Sequence, residues 1–157
     1  IFKSYFKEYF VLILKTWGKA LVLIMITTII IQLTTNTTQA NNQIALQNSF
    51  NSNPVFIALL AMFYAPIAEE LMFRGVFRKF IKNKKLFVIV SGVVFGLMHV
   101  IDDSKTLAEF SYVFVYSILG IYLAGIYAKT NNLCTNIFMH FMQNTLSVIG
   151  MILLMFM

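Results

Sequence analysis

The chain has 157 residues, of which 59% are hydrophobic and 11% are charged, whereas a soluble domain is closer to half apolar and a quarter charged. The apolar residues fall in long blocks, so the composition excludes an ordinary soluble domain and indicates an integral membrane protein. The net charge of +6 does not indicate nucleic-acid binding, because the basic residues flank the apolar blocks as membrane-topology determinants do.

The N-terminal region, residues 1–53, is predicted to contain one interfacial segment, one span and one loop. Aromatic residues alternate with lysines over residues 1–19, a pattern typical of an amphipathic helix at the level of the lipid headgroups. This helix is expected to lead into a first span at about residues 17–32. The polar, uncharged stretch 34–53 is predicted to be a loop.

The remaining residues, 54–157, are predicted to form the membrane core. Their apolar blocks predict spans at about residues 54–77, 86–101, 110–128 and 133–157. The predicted fold is therefore all-α, a polytopic transmembrane helix bundle with about five crossings plus the N-terminal amphipathic segment.

Basic residues fall on alternating sides of the predicted spans. The N-terminal lysines, the basic loop 78–85 and Lys129 lie on one side, while loop 34–53 is uncharged and loop 102–109 is net negative. The positive-inside rule places the basic side in the cytoplasm. We expect a multi-pass protein of the cell membrane, bacterial by its composition, with its active site toward the cytoplasm.

Strongly polar side chains occur on three of the predicted spans. Such residues are costly in a bilayer and normally face the protein interior or a wet cavity. They are Glu69, Glu70 and Arg74 on the second span, His99 on the third, and His140, Gln143 and Asn144 on the fifth.

Glu70 and Arg74 are four residues apart and can form an ion pair on one helical face. Glu69 points about 100° away and is left without that partner. Pro66 cannot donate to the carbonyl of Met62, so we expect a kink and free backbone polarity beside Glu69. A salt bridge within a helix bundle is the alternative interpretation, and the second glutamate argues against it.

Each histidine has a structural alternative when it is considered alone. His99 follows Gly92 and Gly96, whose spacing lets a neighbouring backbone approach closely, and a lone histidine there is more often packed than functional. His140 and Asn144 are four residues apart and share a helical face, which suits a cavity or an interhelical hydrogen bond equally well.

The polar groups together fit peptide hydrolysis better than any one of them does. This reaction needs an activated water and donors for the oxyanion. A carboxylate with a histidine can supply the first, and a histidine with an asparagine can supply the second. Two histidines and a glutamate are also suitable ligands for zinc.

Three separated motifs lie in order on predicted membrane helices: Glu69-Glu70-x-x-x-Arg74, Phe95-x-x-x-His99 and His140-x-x-x-Asn144. In this combination they resemble the CPBP family of intramembrane proteases. That family includes the CAAX prenyl endopeptidases of the Rce1 type and bacterial Abi proteins linked to bacteriocin processing and self-immunity. The resemblance covers about residues 54–149.

The resemblance implies a catalytic role for four residues. Glu69 is the carboxylate that activates water together with His99. His140 and Asn144 polarise the scissile carbonyl and stabilise its oxyanion.

The resemblance also implies supporting roles for Glu70 and Arg74, and it leaves open whether the protein uses a metal ion. Arg74 holds Glu70 and the local helix in shape. Family members are often labelled metalloproteases, although a metal-free, glutamate-driven mechanism has also been proposed. Zinc or another divalent metal, if one is used, is expected on Glu69, His99 and His140.

The expected function is an intramembrane endopeptidase that acts on a membrane-associated protein or peptide precursor. The lipid bilayer is expected as a further partner, and nucleic acid is not. A non-proteolytic scaffold or bacteriocin self-immunity protein is the main alternative, and a proton-coupled transporter is a third. A rhomboid-like serine site fits less well, because no glycine precedes Ser91 at the expected spacing.

The site residues are predicted to lie at different distances from the cytoplasmic edge of their spans. At 1.5 Å per residue, Glu69 and His140 lie about 11 Å from the cytoplasmic edge and His99 lies about 20 Å from it. We nevertheless expect these three residues and Asn144 to converge in a cavity open toward the cytoplasm, and separations above about 12 Å between Glu69, His99 and His140 would contradict that expectation.

Overall fold

The computed structural model describes residues 2–156, with the side chains of residues 7–156. Over this range the chain is helical and has no strand: α1 (Phe2–Thr35), α2 (Asn41–Ser52), α3 (Pro54–Phe80), α4 (Lys84–Met98), α5 (Leu107–Phe110), α6 (Val113–Thr130) and α7 (Leu133–Met155). The predicted all-α membrane bundle is confirmed. The predicted end of the last span at Met157 and the predicted amphipathic side chains before Lys7 lie outside this description.

Four segments in the described part of the chain are long and apolar enough to cross a membrane. They are Lys7–Thr35, Pro54–Phe80, Leu107–Thr130 and Leu133–Met155. The remaining predicted span, 86–101, corresponds to α4, which has 15 residues and is therefore about 22 Å long, against about 30 Å for a bilayer core. The described residues thus contain four membrane-length segments and the shorter helix α4, where the sequence predicts about five crossings.

Two predictions for the N-terminal region need correction. Helix α1 runs without a break, so the interfacial segment and the first span are one element. The predicted loop 34–53 contains helix α2. Its Asn and Ser residues are weak helix formers, but Phe50 is 1% exposed and packs with Val148 and Met151 of α7. Tertiary burial therefore stabilises a helix that local composition does not indicate.

Helices α4 and α6 cross at glycines, as the spacing of Gly92 and Gly96 predicts. A Cβ atom added at Gly92 would lie 2.6 Å from the backbone nitrogen of Ile121, and one at Gly96 would lie 2.7 Å from that of Ser117. On the other side, a Cβ at Gly120 would lie 2.7 Å from the Gly92 carbonyl oxygen. The two backbones are in direct contact, which fixes the C-terminal end of α4 beside α6.

Helix α3 changes its hydrogen-bonding register around the two glutamates. The segments Leu60–Tyr64 and Leu71–Val76 are π-helical and flank the α-helical turn Ala65–Glu70. The Ala65 N–H donates to the Leu60 carbonyl, five residues back. Such wide turns are frequent at functional sites because they re-aim side chains.

The wide turn also changes which carbonyl Pro66 leaves free. The sequence predicts that the carbonyl of Met62, four residues back, is left free. At Ala65, however, the N–H bonds five residues back, and the same register makes Ala61 the carbonyl that Pro66, which has no N–H, leaves without a donor. The Asn144 side chain donates to the Ala61 carbonyl oxygen at 2.8 Å. An amide on α7 therefore satisfies the backbone group that the proline exposes on α3.

Candidate active site

Three of the four residues predicted to converge, Glu69, His99 and His140, do so. Glu69 Oε2 lies 3.8 Å from His99 Nε2 and 3.8 Å from His140 Nε2, well below the 12 Å limit. Part of the predicted difference in depth disappears because α3 continues to Phe80, which places Glu69 about 16 Å from that end of the helix rather than about 11 Å.

Glu70 forms the centre of a buried polar cluster, which we call the Glu70 cluster: Glu70, Arg74, Asn136 and His140. Arg74 Nη1 donates to Glu70 Oε1 at 3.1 Å, and Asn136 Nδ2 donates to Glu70 Oε2 at 3.1 Å. His140 Nδ1 lies 2.9 Å from Glu70 Oε1. The second guanidinium nitrogen of Arg74 donates to the Gly120 carbonyl at 2.8 Å. Glu70 and Arg74 are fully buried, and these bonds offset the desolvation of their charges.

The hydrogen bonds assign the tautomers of both histidines. His140 Nδ1 faces the Glu70 carboxylate, which accepts hydrogen bonds only while ionised beside Arg74, so Nδ1 carries the proton. His99 Nδ1 lies 2.8 Å from the Phe95 carbonyl oxygen and likewise must donate. In their neutral forms both rings therefore present an unprotonated Nε2.

Three acceptor atoms consequently face one another. Glu69 Oε2 is buried and has no hydrogen-bond partner within the described part of the chain, and the lone pairs of His99 Nε2 and His140 Nε2 are its neighbours. Such a set favours a species between them that donates protons or carries positive charge. The side chains of Glu69 and His99 are 25% and 22% exposed, so the site is accessible from outside the protein.

His99 is held between two aromatic rings. Its ring centroid lies 4.4 Å from that of Phe95 and 4.8 Å from that of Tyr116, with Tyr116 stacked at an interplanar angle of 21°. The Tyr116 hydroxyl donates to Asn42 Oδ1 at 2.6 Å. Helix α2, predicted as a loop, therefore supports the site through Tyr116.

Asn144 is the fourth predicted catalytic residue and lies one turn beyond His140 on α7. One of its two amide N–H groups is committed to the Ala61 carbonyl. Its neighbour Gln143 points elsewhere, because Gln143 Oε1 accepts from the Trp17 indole at 2.9 Å. The structure thus separates two adjacent polar residues, because Asn144 contacts α3 and Gln143 contacts α1.

Sequence reasoning missed Asn136 and Tyr116. A signal for Asn136 was present, since Asn136, His140 and Asn144 recur every four residues on one face of α7. Nothing in the local sequence distinguishes Tyr116 from the other aromatic residues of its span.

The residues fit a metal ion less well than the resemblance implies. Ligands of tetrahedral zinc, at bonds of about 2.0–2.1 Å, lie roughly 3.4 Å apart, whereas Glu69 Oε2 is 3.8 Å from each Nε2. Residues 7–156 contain no group of three or more His, Cys, Asp or Glu side chains arranged to hold a metal ion. The geometry does not supply a formed three-ligand site.

Comparison with known proteins gives a consistent result. Residues 51–146, more than half of the chain, match the model of the family described as "Type II CAAX prenyl endopeptidase Rce1-like". All of the predicted site residues, from Glu69 to Asn144, lie within this match.

Two curated bacterial proteins are similar to this chain. A Bacillus subtilis (strain 168) protein named "Putative membrane peptidase YdiL" is 28% identical over 114 residues, which cover 71% of this chain and 43% of the relative. The UPF0177 protein YxdF of Lactococcus lactis (strain IL1403) is 34% identical over 76 residues, 48% of this chain and 38% of the relative. The chain thus spans about two-fifths of the length of these relatives. No solved structure matches it significantly.

Proposed function

This chain belongs to the type II CAAX prenyl endopeptidase Rce1-like family, and from that premise we propose that it is an intramembrane endopeptidase in which Glu69 activates the attacking water. The observation that carries the proposal is the unpartnered Oε2 atom of Glu69, which faces two imidazole nitrogens at 3.8 Å. A separation of 3.8 Å is too long for a direct hydrogen bond and suits one bridging water.

In the proposed reaction Glu69 is the general base and His99 orients the water. The water oxygen attacks the scissile carbonyl carbon while one water proton passes to the Glu69 carboxylate. The carbonyl oxygen becomes an oxyanion. When the carbon–nitrogen bond breaks, Glu69 returns the proton to the departing amine, so the carboxylate is regenerated and no other reactant is needed.

The oxyanion is proposed to be stabilised from α7. Asn144 supplies its second amide N–H, the first being held by Ala61. His140, whose Nδ1 is held by the Glu70 carboxylate, is the second group proposed to polarise the carbonyl and stabilise the oxyanion. Glu70 is thus a positioning residue, and Arg74 and Asn136 keep it in place.

The substrate is proposed to be a membrane-associated protein or a peptide precursor. The four membrane-length helices among the described residues and the partial exposure of Glu69 and His99 support cleavage at or just inside a membrane face. The distribution of basic loops supports the cytoplasmic face of a bacterial membrane.

The test is cleavage of fluorogenic precursor peptides by the purified protein in detergent, with Glu69→Gln as the key variant. We expect a loss of about 10²–10⁴-fold in kcat, the usual contribution of a general base. Glu8→Gln is the control, because Glu8 is exposed on α1 and outside the site. A chelator is expected to leave the rate unchanged.

Two results would overturn this proposal. Cleavage retained by Glu69→Gln would exclude Glu69 as the base, and loss of wild-type cleavage with a chelator, restored by added metal, would assign water activation to a metal ion. A non-proteolytic scaffold predicts no cleavage by any variant and full cellular function in Glu69→Gln.

A further inference from the structure

A cleft of about 400 Å³ lies between α1, α4 and α6, away from the candidate active site. Three lysines line it, Lys15 and Lys19 from α1 and Lys129 from α6; we call it the lysine cleft. It also contains Val88 of α4, which precedes His99 by eleven residues and so lies about 16 Å from it along that helix. The cleft is therefore separate from the proposed catalytic groups.

The charges of the lysine cleft are not balanced by the protein. Lys15 and Lys19 are four residues apart on one face of α1, where like charges repel, and Lys129 faces them from α6. None of the three is in an ion pair with a described side chain, and no carboxylate is among the lining residues. This arrangement favours an anion.

Apart from Thr16 and the Tyr122 hydroxyl, the rest of the lining is apolar, and there is open space at Gly125. A Cβ atom added at Gly125 would meet nothing within 4 Å. Val88, Gly125 and Lys129 also line a second cleft of about 550 Å³, which adds Lys84 and Lys85 at the start of α4. Lys84 and Lys85 precede Val88 at the start of α4, and Lys129 follows Gly125 by one turn at the end of α6. The lysines therefore lie at one end of the apolar floor formed by Val88 and Gly125, and a matching ligand carries negative charge at that end and hydrocarbon at the other.

We propose that the lysine cleft binds an anionic glycerophospholipid, with the headgroup phosphate between Lys15, Lys19 and Lys129 and an acyl chain along the floor formed by Val88 and Gly125. Lys129 lies at the end of α6, and Lys15 and Lys19 lie near the middle of α1, from which long lysine side chains can reach lipid headgroups. An apolar floor contributes nothing to binding inorganic phosphate, so the bilayer is the source of the ligand.

The proposal is tested by native mass spectrometry of the full chain titrated with dioleoyl phosphatidylglycerol or dioleoyl phosphatidylcholine. We expect phosphatidylglycerol to bind at least tenfold more tightly. The triple variant Lys15→Gln, Lys19→Gln, Lys129→Gln is expected to lose roughly 100-fold in affinity for it, because each lysine near an anionic lipid contributes about fivefold.

Two further variants separate a specific site from general attraction. Lys79→Gln, Lys82→Gln, Lys105→Gln removes the same net charge from exposed lysines outside both clefts and is expected to keep phosphatidylglycerol binding within about threefold. Gly125→Leu fills the floor without changing charge, and is expected to lose binding by tenfold or more while its unfolding temperature does not fall, because the added atoms enter open space.

Inorganic phosphate at the same concentration is expected not to compete. The proposal is overturned if phosphatidylcholine binds as tightly as phosphatidylglycerol, if both lysine triples lose affinity equally, if Gly125→Leu retains full binding, or if inorganic phosphate alone displaces the lipid. None of these results bears on peptide cleavage, since the lysine cleft does not contain a proposed catalytic residue.

Discussion

Glu69 and Glu70 are adjacent on one helix and have opposite environments. Glu70 is fully buried and is bonded to Arg74, Asn136 and His140. Glu69 is 25% exposed, and its Oε2 atom has no partner among the described residues. A buried carboxylate whose oxygens are bonded holds its neighbours in place, whereas a carboxylate with an unpartnered oxygen is available for proton transfer.

The helix geometry creates this difference. Adjacent residues point about 100° apart, so Glu70 faces α6 and α7 while Glu69 faces the two Nε2 atoms. His140 connects the two environments, with Nδ1 on Glu70 and Nε2 toward Glu69.

The largest expected effect on stability comes from Glu70→Gln. This change leaves the fully buried charge of Arg74 without its partner, which typically costs about 3–5 kcal/mol. Glu69→Gln removes no hydrogen bond or close ion pair and is expected to change stability by less than about 0.5 kcal/mol. Denaturant titration of both variants in the same detergent measures the difference, and equal losses would contradict the assignment of the Glu70 cluster as structural.

Asn144→Ala is expected to have the next largest effect, on the rate as a proposed oxyanion donor and, by about 1 kcal/mol, on stability through its bond to Ala61. Loss of one oxyanion donor typically lowers kcat by about 10²–10³-fold. The matched control is Gln143→Ala, which removes a side-chain bond to Trp17 and is expected to cost about 1 kcal/mol of stability with little change in kcat. Similar kcat values for the two variants would show that Asn144 only contacts Ala61 and does not stabilise the oxyanion.

Gly96→Ala tests how the crossing of α4 and α6 holds His99 on the Glu69 side. The added Cβ would lie 2.7 Å from the Ser117 backbone nitrogen, and overpacking of this kind costs about 1–3 kcal/mol. Gly150→Ala is the control, since a Cβ there meets nothing within 4 Å. A thermal unfolding scan that shows no difference between the two would show that the crossing adjusts freely.

The smallest expected effect is that of Tyr116→Phe. It keeps the ring stacked on His99 and removes the hydroxyl bond to Asn42, which costs about 1 kcal/mol of stability. If the whole of this loss falls on the positioning of His99, kcat/KM falls roughly fivefold. Tyr116→Leu also removes the ring and is expected to lower kcat/KM further. If Phe and Leu lower kcat/KM equally, stacking does not position His99.

The helical membrane bundle and the identity of the converging residues can be predicted from the sequence alone. The physical reason is the bilayer, which makes an ionisable side chain in an apolar block costly enough to stand out. Glu69, His99 and His140 were found in this way, and their separations of 3.8 Å agree with the expectation. Their catalytic roles stay predictions.

The contacts that hold these residues in place can be seen only in the tertiary structure. Helix α2 forms because Phe50 is buried against α7, and the bond from Asn136 to Glu70 joins positions 66 residues apart. The carbonyl of Ala61, rather than that of Met62, is the one bonded to Asn144 because α3 widens at Leu60–Tyr64. Contacts between distant parts of the chain set these features, and no local periodicity or propensity encodes them.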